Sequence, residues 1–380
     1  MRQKRFSLLH LLLAVLLTAA AVLAGGTLLL NRSLGAGGRS LVEALNLVNT
    51  LFVGEYDETE VVDAALEGMV SGLGDRWSYY LTADELAAQN QRRTNQYVGI
   101  GVTVSYEREE GLEIQAVTAG GPAEAAGLQE GELITAVDGT SLAGEARYEG
   151  ANLIQGEEGT SVTLEITGTD GSVRTVEVER ASIDTDPVES EMLEGDVGYV
   201  RLLNFYDNSA QRLEEAVTAL QEQGAQALVF DMRDNGGGYL HELTDMLDFL
   251  LPEGPIFISR DRAGNEEITT SDASCVDLPM AVLVNADTYS AAEFFAAELQ
   301  EQGVAVIVGE PTSGKGYSQQ TFTLPHGGAV AISTGAYFTG SGTSLIGTGL
   351  TLDAEVYNTV DGEDAQLAAA LELLKNQENP

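Results

Sequence analysis

Hydrophobic positions divide the chain into four stretches of different period. Leu11 to Leu30 is an uncharged run of 20 residues, long enough as a helix to cross a bilayer, and Gly35-Ala36-Gly37-Gly38 after it reads as a flexible spacer. In residues 40–93 apolar side chains recur at helical spacing. Leu41, Leu45, Val48 and Phe52 do so first, then Val61, Ala65, Leu66 and Met69 ahead of the Gly72-Leu73-Gly74 break. From Tyr97 the period shortens. Runs at Gly99–Tyr106, Leu112–Val117, Leu133–Val137, Val162–Ile166 and Val173–Val178 alternate with glycine-bearing turns, which predicts a small, independent β-rich module. From Gly198 the pattern becomes α/β. Tyr199–Leu203 reads as a strand, Ser209–Gln223 as an amphipathic helix, Ala227–Met232, Ala281–Val284 and Val304–Val308 as strands buried on both faces, and Ser290–Gln302 as a helix. Such alternation predicts a central sheet covered by helices.

Composition narrows the function. Lys and Arg total 19 against 59 Asp and Glu, a formal net charge of −40. A nucleic-acid partner or a grip on anionic lipid headgroups is thereby excluded, because phosphate contacts need a basic face. The single cysteine, Cys275, rules out an intrachain disulfide. His10, His241 and His326 are far apart in the chain, and no Cys/His cluster has metal-ligand spacing, so neither metal nor cofactor is expected. Arg2, Lys4 and Arg5 precede the apolar run, which predicts a cytoplasmic N-terminus, a single-pass membrane anchor and an extracytoplasmic body. Cleavage as a signal peptide near Val22-Leu23-Ala24 is the competing reading.

Only three lysines occur, and Lys4 and Lys375 lie outside the predicted folded regions, Lys375 in a polar tail. Lys315, between Gly314 and Gly316, is the exception in a chain that otherwise uses arginine. A desolvated lysine can become a neutral base, whereas arginine keeps its proton. Ser290, 25 residues upstream in Tyr289-Ser290-Ala291-Ala292-Glu293, is a candidate nucleophile on a strand-to-helix turn, where helix N–H groups can stabilise an oxyanion. The bland alternative is a capping box, Ser290-x-x-Glu293. A histidine base at His241 or His326 also stays open. Gly309 to Lys315 matches the Gly-x4-Gly-Lys phosphate cradle, but Gly316 stands in the Mg²⁺-ligand position and a β-type sequence follows where a helix is needed. Asp234-Asn235-Gly236-Gly237-Gly238 at a strand end is either a flexible connection or a set of bare N–H donors.

Taken together, several segments resemble the C-terminal processing peptidases, or tail-specific proteases. They are Ser290-Ala291-Ala292-Glu293, Gly309-Glu310 with Gly314-Lys315-Gly316 and Gln319, Asp231 to Gly238, Gly68 to Asp75 and Tyr79 to Thr82. The resemblance runs from about residue 40 to 375, and residues 97–180 are similar to the family's PDZ domain. It implies Ser290 as nucleophile, Lys315 as general base, Gln319 orienting Lys315, the N–H groups of Gly237 and Ala291 as oxyanion hole, and Tyr97, Val98, Gly99, Ile100 and Gly101 as the loop that binds a peptide C-terminus. It also implies a crotonase-like α/β protease core. Four positions depart from the family pattern: Gly236 for proline, Tyr289 for the commoner alanine, Ala292 for the commoner serine, and Gln155 where many relatives have arginine.

The expected organisation is a cytoplasmic stub and transmembrane anchor (1–30), a linker (31–39), a helical region (40–93), a PDZ domain (94–182), a serine peptidase core (183–375) and a tail (376–380). The expected function is cleavage of protein or peptide substrates with free, apolar C-termini, with homo-oligomerisation open. A catalytically inactive surface PDZ scaffold and a P-loop nucleotide-binding protein are the alternatives.

Overall fold

The computed structural model describes residues 8–358 and 362–377, without the side chains at 8–11, 14, 19–33 and 377. Two units can be distinguished, Met1–Val62 and Asp63–Pro380. In the first, Leu8–Leu51 is a helix whose one non-helical residue is Gly35 (φ 62°, ψ −169°). The expected 31–39 linker is therefore a kink in a helix and not a free spacer. The apolar run Leu11–Leu30 falls in this helix, but most of its side chains, like Arg2, Lys4 and Arg5, lie outside the described residues. Among the described residues no helix is long and apolar enough to cross a membrane, so the expected transmembrane helix is not seen.

The second unit is built on a six-stranded sheet in the order Val188–Leu193, Val197–Leu202, Ala227–Asp231, Met280–Val284, Ala305–Gly309, Ala354–Glu355. The first pair is antiparallel and the rest run parallel. Period-2 alternation explains why Ala227–Asp231 is apolar throughout. Leu228 and Phe230 face the helices Ser209–Glu222, Leu240–Leu250 and Ala291–Glu301, while Val229 faces Ala370 and Leu374 of the helix Ala365–Gln377 on the other side. Lys375 is in the last turn of that helix, not in a tail. A second sheet, absent from the sequence reading, joins Tyr79–Leu81, Tyr317–Thr323, Ala329–Phe338, Gly254–Asp261 and Glu266–Ser271.

The β-rich module has its own core of Ile100, Leu112, Ile114, Ile134, Leu164 and Ile166, all at most 1% exposed. The run read as one strand, Gly99–Tyr106, is split. Gln96–Gly99 pairs with Ala181–Asp184, and Val102–Ser105 begins only after Gly101, whose φ of 78° breaks the extended chain. This pair of strands is the two-stranded ribbon through which the chain enters and leaves the module.

Candidate active site

Three neighbouring parallel strands, Ala227–Asp231, Met280–Val284 and Ala305–Gly309, end at the same edge of the sheet. The segments that leave them carry Asn235 to Gly238, Ser290 and Lys315 respectively. Parallel register therefore brings together residues up to 80 apart, at the edge where α/β folds place their sites. Ser290, Lys315, Gln319, Gly236 and Gly238 line one cleft of about 580 Å³, with Trp77, Arg93, Tyr206, Tyr239 and Tyr289. Neither His241 nor His326 lines it. His326 bonds Tyr80 Oη at 2.7 Å, and His241 stacks on Tyr239.

Ser290 precedes the helix Ala291–Glu301 with φ 62° and ψ −127°. A non-glycine residue there costs about 1–3 kcal/mol and persists only if its surroundings hold it. Phe294 and Phe295, both fully buried, seat the helix; Phe295 packs edge-on against Phe230 at 5.3 Å. The N–H of Glu293 bonds the Ser290 carbonyl at 2.9 Å, so the hydroxyl is not required as its acceptor. Ser290 and Glu293 do form a capping box, the Glu293 carboxylate accepting from Ser290 N, so the capping reading and the nucleophile reading of Ser290 stand together.

Glu293 does something the sequence reading missed. Its carboxylate, fully buried, accepts from Ser290 N (3.1 Å) and Lys315 N (2.9 Å) on one oxygen, and from Gly314 N (2.7 Å) and Thr312 Oγ1 (2.6 Å) on the other. One side chain thus staples the serine turn to the lysine loop. The same contacts dispose of the phosphate cradle: the loop's N–H groups do hold an anion, but it is Glu293. The segment after Lys315 is a strand, Tyr317–Thr323.

The Lys315 Nζ lies 4.9 Å from the Trp77 ring centroid and 5.4 Å from that of Tyr289. Burial, reinforced by the positive charge of Arg93, pushes its pKa down to about 8; Glu293 and Asp75 pull the other way. Burial also acts on Asp75, but hydrogen bonds from Ser78, Ser333 and the Trp77 N–H, and then the charge of Lys315, hold its carboxyl below the usual range. Gln319 lies in the cleft, but its amide nitrogen donates to the Tyr317 carbonyl (2.8 Å) and Ser333 Oγ (3.2 Å), and Ser333 Oγ donates to Asp75. Its link to Lys315 therefore runs through Ser333 and Asp75.

Gly237 sits against the serine turn, since a Cβ there would lie 2.7 Å from Ala291 N. Its N–H, expected in the oxyanion hole, is bonded to Asn235 Oδ1 at 2.8 Å. Asn235 also donates to the Leu202 carbonyl and accepts from Tyr289 N, so the loop is firmly pinned. The departures at 236 and 289 belong together. A Cβ at Gly236 would meet the Tyr289 hydroxyl at 2.5 Å, so the missing side chain makes room for the tyrosine ring.

On the β-rich module, Tyr97, Val98 and Gly99 lie in the ribbon strand, so of the expected carboxylate-binding loop only Ile100 and Gly101 lie between strands. The Tyr97 ring lies over Gly99, and the groove it shares with Ile100, Val102, Val104 and Ile154 has only about 50 Å³ free. Elsewhere, Asp207, His241 and Glu242 could in principle hold a metal. Both Glu242 oxygens, however, accept from the N–H groups of Asn208 and Ala210 and so cap the helix Ser209–Glu222.

The Peptidase family S41 profile matches residues 196–356, and a PDZ-domain profile matches 113–167. The chain is 32% identical over 324 residues to the carboxyl-terminal-processing protease of Synechocystis, covering 82% of this chain and 76% of that one. It belongs to the S41 peptidases. These are serine-type C-terminal processing peptidases, and the carboxy-terminal processing protease CtpA of Bacillus subtilis is a further relative, 28% identical over 348 residues (90% of this chain and 74% of that one). A solved structure from Bacteroides fragilis, named as an S41 protease, shares the fold: TM-score 0.53, 20% identity, 86% of this chain and 93% of that one.

Proposed function

We propose that this S41 peptidase is a membrane-anchored, extracytoplasmic endopeptidase that uses a Ser290/Lys315 pair. The observation that carries the reading is a strained serine and a dehydrated lysine with a pKa of about 8, in one cleft and joined through Glu293. Neutral Lys315 takes the Ser290 proton as Oγ attacks the scissile carbonyl. The oxyanion is met by the Ala291 N–H at the helix N-terminus and by the glycine loop, at Gly238 or at Gly237 once Asn235 lets go. Protonated Lys315 returns the proton to the leaving amine, and water then hydrolyses the acyl-enzyme. Ser333, Asp75 and Gln319 hold the lysine's surroundings.

Substrate selection is assigned to the β-rich module, where Ile100 and Gly101 meet a free carboxylate and Val102–Ser105 offers an edge to an extended peptide. The anchor rests on the basic residues and apolar run of the N-terminus. Ser290→Ala and Lys315→Ala should each abolish cleavage of a reporter peptide with an apolar free C-terminus while leaving the circular dichroism spectrum unchanged. Lys315→Arg should be equally inactive, because arginine cannot give up its proton. Substantial turnover by Lys315→Arg would refute the lysine-base assignment.

A further inference from the structure

Among the described residues, six arginines of this acidic chain are paired with carboxylates: Arg108, Arg174, Arg201, Arg212, Arg233 and Arg260. Arg93, which lines the active-site cleft, is not among them; no carboxylate lies within ion-pairing distance of it among the described residues. Its Nε is shielded from solvent and has no hydrogen-bond partner. The guanidinium stands 5.7 Å from the Tyr239 ring centroid, on the same cleft wall as Tyr206 and Gly238. Helix stabilisation alone would not explain this placement. Arg92 is in the same last turn of Ala83–Arg93 and is exposed, where a cation serves the helix dipole without entering the cleft.

Arg93 is also fixed from both sides. Its carbonyl accepts from Asp207 N, and the buried Asn95 two residues on bonds the Asp207 carbonyl and Asn204. A fork-shaped cation on the cleft wall with no carboxylate of its own matches a planar anion, which a carboxylate supplies with two parallel hydrogen bonds. Arg76, the other arginine of the cleft, also has no carboxylate partner, but its guanidinium donates to the Ser313 carbonyl at 2.7 Å and lies over the Trp77 ring.

We propose that Arg93 binds a carboxylate of the substrate peptide close to the scissile bond, separately from the turn at Ile100 and Gly101. This rests on the peptidase reading above. The carboxylate belongs either to an acidic side chain or to the α-carboxylate of a short leaving tail. Arg93 is a specificity residue under this assignment, and its contact favours substrates that a −40 surface would otherwise repel.

The test uses the full chain and matched peptides with Glu or Gln at each of three positions on either side of the cleaved bond. A second set has short leaving tails ending in free acid or amide. In the parent enzyme one Glu/Gln pair, or the acid/amide pair, should differ in kcat/KM by about 10- to 100-fold, the worth of a hydrogen bond to a charged group. In Arg93→Gln a Glu/Gln ratio should fall to within about threefold of unity and an acid/amide ratio to the part that the turn at Ile100 and Gly101 supplies, while the neutral peptide is still cut with its rising pH limb moved up, since Arg93 no longer depresses Lys315. The turn at Ile100 and Gly101 would keep its own acid/amide preference in this variant, so only the lost part reports on the cleft. Should Arg93→Gln fail to fold by circular dichroism, Arg93→Met, which keeps the apolar stem, carries the same measurement. Ratios near unity throughout in the parent, or a ratio unchanged by the substitution, would overturn the assignment; so would equal loss on charged and neutral peptides above the rising limb, where the effect of Arg93 on Lys315 is absent, which would show a merely structural arginine. Failure of the parent to cut any peptide would instead sink the peptidase reading.

Discussion

Dehydration of Lys315 should set the pH at which the enzyme works, and Trp77 should be the residue that sets the dehydration. With a pKa of about 8 in place of 10.5, roughly one lysine in ten is neutral at pH 7, against about one in 3,000 for an ordinary lysine. That difference corresponds to roughly 3 kcal/mol. Replacing Trp77 by alanine has two opposed effects. It removes the ring whose π-face attracts the ammonium, about 0.5–2 kcal/mol toward the charged form, and it admits water, which also favours the charged form. Burial is the largest influence on this amine, so hydration should win. The rising limb of kcat/KM against pH should then sit near pH 8 in the parent and move up by about one unit in Trp77→Ala.

The same shift has a stability consequence with a fixed sign. A lysine whose folded pKa is depressed binds fewer protons folded than unfolded, so its cost is absent above pH 10.5 and complete below pH 8. Lys315→Met should therefore raise unfolding stability at pH 7 by up to ~3 kcal/mol, and the gain should vanish toward pH 10.5. A parent limb near pH 6.5 would implicate a histidine, and an unmoved limb in Trp77→Ala would show that the ring does not keep the amine dry.

Glu293→Gln replaces an acceptor of four hydrogen bonds by a group with one acceptor oxygen, so stability should fall by about 2–5 kcal/mol in urea unfolding and activity by a larger factor than the stability loss alone explains. Because Glu293 pulls the Lys315 pKa up, any residual activity of this variant should have its rising limb at lower pH. Glu298, in the core with one buried oxygen unpartnered, has its pKa pushed up to about 8, chiefly by burial. Its folded form binds the proton more tightly, so stability should be lost as pH rises from 4.5 through 8, and Glu298→Gln should flatten that loss in thermal unfolding scans. Amidating a substrate C-terminus should weaken binding to the β-rich module by about 1.5–3 kcal/mol by calorimetry with Ser290→Ala protein; equal affinity for acid and amide would show that the turn at Ile100 and Gly101 does not read carboxylates.

Local sequence determined those features that depend on neighbours in the chain. Period-2 runs gave the short strands of the β-rich module, continuous apolar runs gave the core strands, and Ser290 and Lys315 stood out as candidates because residue type alone restricts their chemistry. Their surroundings were not legible. Trp77 and Arg93 approach Lys315 from more than 200 residues upstream, and nothing in their local sequence marks either as part of a site. Glu293 was legible only as half of a capping box, which it is, because the sequence shows its spacing from Ser290 but not the loop from Thr312 to Lys315 that the parallel strands lay across it. The second sheet was missed for a similar reason. Its strands are exposed on one face and draw their order from pairing with distant partners, such as Tyr79–Leu81 on Ala329–Ala331, rather than from a period of their own. Hydrogen-bond competition is also decided only in three dimensions: the Gly237 N–H was available in sequence, yet in the fold Asn235 takes it. Residue type supplies the reactive groups, whereas desolvation and hydrogen-bond partners, which tune them, come from whatever the tertiary structure brings within a few ångströms.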